Sequence, residues 1–474
     1  MSKVSRKLPF KEKFFYGFGD LASVLYWQTF MLYLTYFYTD VFIIPAAEAA
    51  TLFAVSRIWD GINDPMMGMI ADRTNTRWGK FRPYLLWICV PFAIVGVLTF
   101  TVPNFGPQGK LIWAYVTFIL IMMLYTAINI PYTALLGVIS ADSNERTSVS
   151  SFKFIFAYTA GTIVSATLLP MTKTFGGGSE AHGWQVTFII YGIAAVIFFL
   201  IAFQGTHERI KPPKSQKSSM KKDLKELLTN KPWLILLATT ITFILFVAVR
   251  SSVTVHYFKY VIGTQSLSLP FLGAGKYDFT DLASAFNTVG QVSSIIGVLL
   301  VSWFARLIGK KRAFVIIFII AIFSTAIFYF LTAKQLGLIF FFQFTGSLTG
   351  GPLSVLLWAM YADTADYGEW KNGRRATGLV FSASTMSQKF GWAIGAFIAL
   401  MLMSQVGFAP NQVQSPESLQ GLLLLFSLIP AALGVVSMII LLFYPLNDKR
   451  VDTIIAELEK RRKESGDVPE AAIN

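Results

Sequence analysis

Residues 57–65 read Arg-Ile-Trp-Asp-Gly-Ile-Asn-Asp-Pro and lie inside a segment that is otherwise apolar and long enough to cross a bilayer. Asp60, Asn63 and Asp64 stand at positions i, i+3 and i+4, so a helix would place all three side chains on one face. A charged side chain at the middle of a membrane costs about 2.5–3.5 kcal/mol, and two neighbouring carboxylates also repel each other. A bound cation or a shared proton would offset both costs, and small hard cations prefer oxygen ligands. The stretch therefore predicts a cation site inside a membrane.

The composition of the whole chain is that of a membrane protein. Of its 474 residues, 54% are hydrophobic and only 14% are charged, against about 25% charged in soluble globular proteins. Apolar runs of about 20 residues recur from end to end, which indicates a polytopic helical membrane protein embedded in a lipid bilayer. The net charge of +14 does not indicate a nucleic-acid partner, because Lys and Arg crowd alternate loops. The single cysteine, Cys89, lies in an apolar run and excludes a disulfide framework.

The apolar runs predict twelve transmembrane helices. They cover residues 14–39, 46–71, 83–102, 111–139, 148–174, 184–205, 233–262, 278–305, 311–333, 335–362, 377–406 and 419–446. An even number of spans places both ends of the chain on one side of the membrane. The loops at 73–82 and 306–312 each contain four Lys or Arg residues, whereas 40–46 and 407–418 contain none. The excess of positive charge in cytoplasmic loops therefore predicts that both termini are cytoplasmic.

A polar segment, residues 206–232, separates the first six spans from the last six. The two sets of spans show a weak internal similarity, since each has a basic loop after its second span and an Arg-containing loop after its fourth. Parallel six-span repeats are the plan of the major facilitator fold. We therefore expect an all-α membrane protein with two six-helix bundles, residues 1–205 and 233–446. The cytoplasmic tail, residues 447–474, should begin with an amphipathic helix, because Val451, Ile454, Ile455 and Leu458 recur at helical spacing.

Other polar residues interrupt the predicted spans. Thr126 falls near the depth of Asp60, so its hydroxyl could complete an oxygen cage, and Asn129, one turn further on, could bond a polar ligand. Asp20, Lys153, Trp358 and Lys389 lie in the first, fifth, tenth and eleventh spans. An ionisable residue in such a position is by default a candidate for function.

Each of these residues also has a purely structural interpretation, and the sequence leaves both open. Asp60 and Asp64 could form ion pairs between helices, and Lys389 could neutralise Asp20 across a cavity. Thr126 could bond its own i−4 carbonyl, Lys153 could extend towards the membrane interface, Asn129 could join two helices, and Trp358 could belong to the core.

The acids after the tenth span predict a gate. Asp363, Asp366 and Glu369 precede a loop that contains Arg374 and Arg375, which favours an ion-pair latch on the cytoplasmic side. Such a latch would hold the protein open to the outside. Arg57 is grouped with these gating residues, although its position is equally compatible with support of the cation site or of a ligand pocket. No nucleotide-binding loop, zinc-ligand spacing or nucleophile elbow is present, so we expect neither an enzyme nor a bound cofactor.

Five motifs resemble those of the glycoside–pentoside–hexuronide:cation symporters, a family of the major facilitator superfamily. They are residues 16–20, 57–65, 77–83, 129–132 and 362–370, and they occur in the family's order. The resemblance implies uptake of a sugar across a bacterial inner membrane, coupled to Na⁺ or H⁺. It implies a site for the monovalent cation at Asp60, Asn63, Asp64 and Thr126. It implies a sugar pocket that includes Asp20, Asn129, Lys153, Trp358 and Lys389.

The chain departs from melibiose permease, the best-known member of that family. Ser23 and Val24 replace a Lys-Asp pair in the first span, Asn129 replaces an Asp, and Lys153 replaces an Arg. The pattern is more similar to the branches that carry β-xylosides, glucuronides and sulfosugars, so a glycoside, a pentoside or an acidic sugar is the expected substrate. An alternative is a symporter for lysolipids or other amphiphiles with the same fold. A membrane-embedded enzyme or a sensor is a further class, but an enzyme would need a nucleophile or a metal cluster.

Overall fold

The structure, a computed structural model, describes residues 8–140, 143–209, 227–269, 273–372 and 377–464, which are almost entirely helical. Within these ranges, ten helices are long and apolar enough to cross a membrane. The helices at the first two predicted spans are not apolar enough over a sufficient length to be included. The second of them contains Arg57, Asp60 and Asp64. The predicted all-α membrane architecture is therefore confirmed, while the count of twelve spans depends on two helices with polar interruptions.

The N-terminal half is a series of helices that run back and forth. The helix α1 (Phe10–Leu32) continues through the short α2 (Leu34–Tyr36) and a π-helical turn (Phe37–Val41). The following helices are α3 (Ala46–Arg73), α4 (Arg82–Thr99), α5 (Pro107–Ile139), α6 (Ser143–Phe175) and α7 (Glu180–Gly205).

The C-terminal half repeats this arrangement. The helix α8 (Lys231–His256) ends in a π-helical turn (Tyr257–Ile262). The membrane helices that follow are α9 (Phe279–Ile308), α10 (Lys310–Ala326), α11 (Leu336–Asn372), α12 (Thr377–Gln405), α13 (Pro416–Phe426) and α14 (Leu428–Leu442), and the tail forms α15 (Asp448–Glu464). Two 3₁₀ turns, Ile327–Phe330 and Ala333–Gln335, join α10 to α11.

Local sequence signals explain several helix starts. Ser179 and Asn230 each accept a backbone N–H bond at the starts of α7 and α8. Asp278 and Asp281 form a reciprocal capping box at the start of α9. Each of these side chains satisfies a backbone donor that has no partner within its helix.

The same helix pairs pack in both halves. The first membrane helix packs on the fifth, as α1 on α6 and α8 on α12, and the second packs on the fourth, as α3 on α5 and α9 on α11. The halves meet along α3 against α12 and α6 against α9. Gly297 allows the close approach of α9 to α11, since a Cβ atom there would collide with the backbone oxygen of Leu348.

Three features differ from the expected pattern. A hairpin of β1 (Gln265–Leu269) and β2 (Gly273–Tyr277) lies between α8 and α9, where the apolar runs predict only a loop. The last predicted span is two helices, because the backbone breaks at Ser427. The tenth membrane helix, α11, continues ten residues past its predicted end at 362, where packing of its last turns, including the contact of Trp370 with Glu457, supports a polar helical segment.

The tail helix α15 packs on the C-terminal half. Val451, Ile454 and Leu458 are buried, whereas Ile455 is 38% exposed. Glu457 accepts a bond from the indole of Trp370, at the end of α11. The apolar spacing in the sequence therefore predicts the helix correctly, together with three of the four residues expected on its buried face.

The helix ends separate into two faces. Leu8 and Glu12 contact Glu145 and Arg209, and Lys310 contacts Asp448; the side with these residues is called here the terminal face, because both described ends of the chain lie there. The other side, with residues 36–45, 173–180, 256–269, 273–281 and 408–414, is called the opposite face.

Candidate functional site

Asp64 lies between the two halves of the protein. The Thr126 hydroxyl on α5 donates to Asp64 Oδ1 at 2.9 Å. The Lys389 ammonium on α12 forms an ion pair with Asp64 Oδ2. Because α3 and α5 belong to the N-terminal half and α12 to the C-terminal half, this carboxylate links the halves at mid-depth. Since the donated bond of Thr126 goes to Asp64, the structure does not adopt the alternative in which Thr126 bonds its own i−4 carbonyl.

The rest of the predicted cation site is only partly described. Asn63 is half-buried, and in the described part of the chain its amide nitrogen has no partner. The indole nitrogen of Trp59, one turn earlier, is also without a partner there. The side chains of Arg57 and Asp60 lie outside what the structure describes. The described groups, the Asp64 carboxylate, the Thr126 hydroxyl and the Asn63 amide, supply the oxygen ligands that a small hard cation prefers.

A second ion pair lies within the N-terminal half. Lys153 Nζ on α6 is 3.9 Å from Asp20 Oδ1 on α1, and it lies 5.8 Å from the ring centre of Tyr132. Tyr16 and Tyr132 hold α1 against α5, because each hydroxyl donates to the backbone oxygen of the other residue, at 3.1 and 2.9 Å. Lys153 is thus the cation beside Asp20, and the structure does not show the alternative pairing of Asp20 with Lys389.

Two further groups of polar and aromatic side chains, not predicted as site residues, lie near the first membrane helix. Trp27 on α1 stacks on Tyr125 of α5 with ring centres 5.3 Å apart. Gln28 on α1 and Gln291 on α9 converge on Gly161 of α6, where a Cβ atom would lie 3.2 Å from Gln291 Oε1 and 3.7 Å from Gln28 Cδ. The signal for both residues was available, since an amide in the middle of an apolar run is costly unless it has a partner.

The remaining predicted pocket residues are less central. Asn129 on α5 is half-buried. Trp358 on α11 packs against the core of the C-terminal half, 6.1 Å from the ring of Tyr361, and keeps part of its surface exposed. Trp358 therefore makes the contacts expected of a core residue.

The halves are bound together at the opposite face by Asp40, at the end of the first membrane helix. Its carboxylate lies 3.0 Å from His256 Nε2 and 2.9 Å from Lys259 Nζ, and it accepts a bond from the Tyr260 hydroxyl. The Asn411 amide donates to the Asp40 backbone oxygen at 2.7 Å. These five residues are called the Asp40 cluster. The side chains of Asp40 and His256 are fully buried.

A second bridge lies at the same face. Lys173 Nζ on α6 is 2.7 Å from Asp278 Oδ2 and 3.1 Å from Asp281 Oδ2 at the start of α9. Neither bridge is predictable from the sequence. Asp40, Lys259 and Lys173 stand singly at the ends of apolar runs, and nothing in the sequence indicates which charges meet.

At the terminal face, every ion pair whose two partners are described lies within one half. Glu12 pairs with Arg209 at 2.6 Å, and Lys13 pairs with Glu145 at 2.8 Å. Lys310 pairs with Asp363, one of the predicted gating acids.

The other four residues of the predicted latch do not decide whether it forms. Asp366 and Glu369 are half-buried, while Arg374 and Arg375 lie outside the described residues. The latch between the halves therefore remains a prediction.

Arg250 on α8 is a further charged residue inside the C-terminal half. Its guanidinium lies 5.6, 4.7 and 4.8 Å from the ring centres of Phe286, Phe328 and Phe426, and it donates to Gln343 Oε1 at 3.1 Å. A desolvated cation over an aromatic face gains about 2 kcal/mol. Arg250 thus ties α8, α9, α11 and α13 together, away from the interface between the halves.

Comparison with known proteins agrees with this architecture. A model of the family described as MFS/sugar transport protein matches residues 15–448. The isoprimeverose transporter of Lactiplantibacillus pentosus is 37% identical over 458 residues, covering 96% of the chain and 92% of that protein. The putative glycoside/cation symporter YagG of Escherichia coli strain K12 is 38% identical over 471 residues, which is 98% of each chain.

Among solved structures, the nucleoside transporter NupG superposes with a TM-score of 0.60 at 12% identity, covering 90% of this chain and 98% of that one. At this low identity the likeness shows the major facilitator fold alone. The family match and the two relatives show more: the chain is an integral membrane protein that belongs to the MFS sugar transport family, and it is a transporter, not an enzyme.

Proposed function

We propose that the protein is a cation-coupled sugar symporter that works by alternating access. Two relatives bear the names isoprimeverose transporter and putative glycoside/cation symporter, which support a glycoside as the substrate. The observation that carries the proposal is the contact of Asp64 with Lys389, because it joins a membrane-embedded acid of one half to a base of the other. Its position beside Thr126 matches the cation site expected from the family resemblance.

The Lys389 ammonium and a coupling cation compete for the same carboxylate. Both would take Asp64 Oδ2, because Oδ1 already accepts the bond from Thr126. A Na⁺ ion, held by Asp60, Asn63, Asp64 and Thr126, would displace Lys389; a proton on Asp64 would release it equally well. In either case the cation removes the mid-depth link between the halves.

Once released, Lys389 would be free to bind the sugar. Its ammonium has three donors and no acceptor, so it can bond sugar hydroxyls once it leaves Asp64. Binding of the cation and the sugar is then cooperative, and each ligand raises the affinity for the other by the same factor. The contact of Lys389 with Asp64 supports this, because it puts the lysine beside the carboxylate that the cation would occupy.

The pocket between the halves suits an uncharged sugar. The Trp27–Tyr125 stack offers an aromatic surface for a sugar ring, and the amides of Gln28, Gln291 and Asn129 offer both donors and acceptors. Lys153 lies beside Asp20, so its charge stays compensated, and only the released Lys389 would meet the sugar as a free cation. We therefore favour a neutral glycoside or pentoside over the acidic sugar that the sequence analysis left open.

The Asp40 cluster and the Lys173 bridge would then be the closed gate of this state. If the basic loops are cytoplasmic, as their charge predicts, the terminal face is the cytoplasmic face of the bacterial inner membrane and both termini are inside the cell. The structure then corresponds to a state closed to the outside. The predicted ion-pair latch at the terminal face would form in the other state.

The proposal is tested by uptake of a panel of radiolabelled glycosides into membrane vesicles, with Na⁺, Li⁺ and pH gradients imposed separately. We expect accumulation of a neutral glycoside when one of these gradients is imposed, and competition by other neutral sugars but not by a uronide. Uptake that only equilibrates, whatever the gradient, would exclude symport. Activity on lysolipids without sugar uptake would favour the alternative amphiphile symporter.

A further inference from the structure

A groove of about 1120 Å³ opens at the terminal face of the C-terminal half, away from the interface between the halves. It lies among the ends of α9 and α14, the starts of α10 and α15, and the middle of α11. Its wall is apolar and includes Val301, Ile316 and Leu442. Its rim is basic, with Arg306, Lys310, Lys311, Arg312 and Lys449 against the single acid Asp448.

Two of the five bases already have partners. Lys310 pairs with Asp363, and Lys311 Nζ donates to the backbone oxygens of Leu442 and Tyr444 at 3.0 and 2.6 Å. Asp448 accepts a bond from the Lys310 backbone N–H at 3.2 Å.

The other three bases are uncompensated. Arg306, Arg312 and Lys449 are exposed, and among the side chains that the structure describes none of them has an anionic partner. The rim of the groove therefore carries three positive charges that a bound anion would offset.

The wall of the groove is continuous with the apolar outer surface of the helices. Trp303, Leu307, Ile316 and Leu442 are 64%, 61%, 44% and 56% exposed. In an integral membrane protein, large apolar side chains on the outside of a helix face lipid. Because the bases stand at the helix ends, the groove combines a lipid-facing wall with a positive rim at the depth of the headgroups.

We propose that this groove binds an anionic phospholipid from the leaflet on the terminal face. The phosphate would lie among Arg306, Arg312 and Lys449, and the acyl chains would follow the wall past Ile316 and Leu442. Arginine can hold phosphate oxygens in a bidentate manner, and a basic pocket between transmembrane helices matches an anionic headgroup. A free phosphate ion would satisfy the rim but would leave the apolar wall uncovered, so the lipid fits the whole groove.

The test measures lipid retention by the full-length protein in nanodiscs or detergent, by native mass spectrometry with phosphatidylglycerol or phosphatidylcholine. The variant Arg306→Gln/Arg312→Gln removes two rim charges. The matched control, Arg73→Gln/Arg77→Gln, removes two exposed charges from the same face of the other half. Each Lys or Arg near an anionic membrane surface contributes about 1 kcal/mol, so we expect roughly 30-fold weaker retention of phosphatidylglycerol by the rim variant. The wild-type protein and the control should retain it equally.

Three results would overturn the proposal: equal retention of phosphatidylcholine, equal loss in the control variant, or displacement of the lipid by millimolar inorganic phosphate. The last result would indicate a site for a soluble anion. If the double variant does not fold, Lys449→Gln, which changes only the tail helix, tests the same rim with an expected loss of about five-fold. A Lys449→Gln protein that retains phosphatidylglycerol as the wild type does would also contradict the lipid site.

Discussion

Asp64 has two carboxylate oxygens, and each contacts a different helix. Oδ1 accepts from Thr126 in its own half, and Oδ2 pairs with Lys389 in the other half. The sequence places Thr126 near the depth of Asp60, and the family resemblance implies one cation site that includes both Asp64 and Thr126. The sequence does not predict Lys389 there, because that residue is 325 positions away and only the packing of α3 on α12 brings it close. The sequence thus selects the chemically unusual residues, while their pairing depends on long-range packing.

The substitution Asp64→Asn should abolish cation-stimulated uptake. It removes the charge that the cation and Lys389 would share. Because a bond to a charged group contributes about 1.5–3 kcal/mol, we expect cation-stimulated uptake to fall by at least about ten-fold. Vesicle uptake with an imposed cation gradient measures the effect. The control is Glu48→Gln, an exposed acid at the other end of α3, which should transport normally. Gradient-driven accumulation by Asp64→Asn at the wild-type level would refute the role of this carboxylate.

The substitution Lys389→Met should tighten cation binding while reducing sugar uptake. It removes the ammonium that competes for Asp64, so the half-saturating cation concentration should fall by roughly ten-fold, equivalent to about 1.4 kcal/mol. Lys389→Arg keeps the charge and is the matched control. The cation dependence of intrinsic tryptophan fluorescence provides the measurement. Weaker cation binding by Lys389→Met would mean that the lysine supports the cation site and does not compete with it.

At the scale of elements, the ends of the first and seventh membrane helices carry the closure of the opposite face. Both end in a π-helical turn, Phe37–Val41 and Tyr257–Ile262, and these turns bring Asp40 beside Lys259. Apolar periodicity predicts the helices but not the turns, since a π turn changes the register by one residue without changing the composition. The hairpin of β1 and β2 is not predicted for a similar reason, because both strands are short and lack an apolar run.

The substitution Asp40→Asn should open the opposite face. Hydrogen bonds to a charged group contribute about 1.5–3 kcal/mol each, so losing them should shift the population towards the outward-open state by at least about ten-fold. The reporter is Gln28→Cys in a Cys89→Ser background, labelled from outside with an impermeant maleimide. Asp452→Asn, in the exposed part of the tail helix, is the control and should label at the original rate. An unchanged labelling rate in Asp40→Asn would show that the cluster does not hold the gate.

The close contact of α9 with α11 gives a prediction about stability. Alanine at Gly297 would push its Cβ into the backbone of Leu348, whereas alanine at Gly337 would meet nothing within 4 Å. We expect Gly297→Ala to lower the free energy of unfolding by about 1–3 kcal/mol, the usual cost of overpacking. Gly337→Ala should leave it unchanged or raise it slightly, because alanine favours helix. Thermal unfolding in detergent compares the two variants, and equal melting temperatures would contradict the packing described for this pair.

At the scale of the whole molecule, the structure is a pair of repeats closed at one face. The repeated packing of the first helix on the fifth and the second on the fourth agrees with the weak internal similarity of the sequence. The fold was predictable because length, apolar runs and loop charge all constrain a helical membrane protein in the same direction. The conformational state was not predictable, since it depends on which charges meet across the halves. Asp40 and Lys173 supply those contacts here, and the sequence analysis selected neither.

The most direct test of the account measures both affinities of the purified protein, for a transported glycoside with and without saturating cation, and for the cation with and without saturating glycoside. If displacement of Lys389 from Asp64 links the two sites, each ligand should tighten the other by one common factor, and Asp64→Asn should reduce that factor to one. A sugar affinity that stays constant in the wild-type protein over all Na⁺, Li⁺ and proton concentrations would contradict the account.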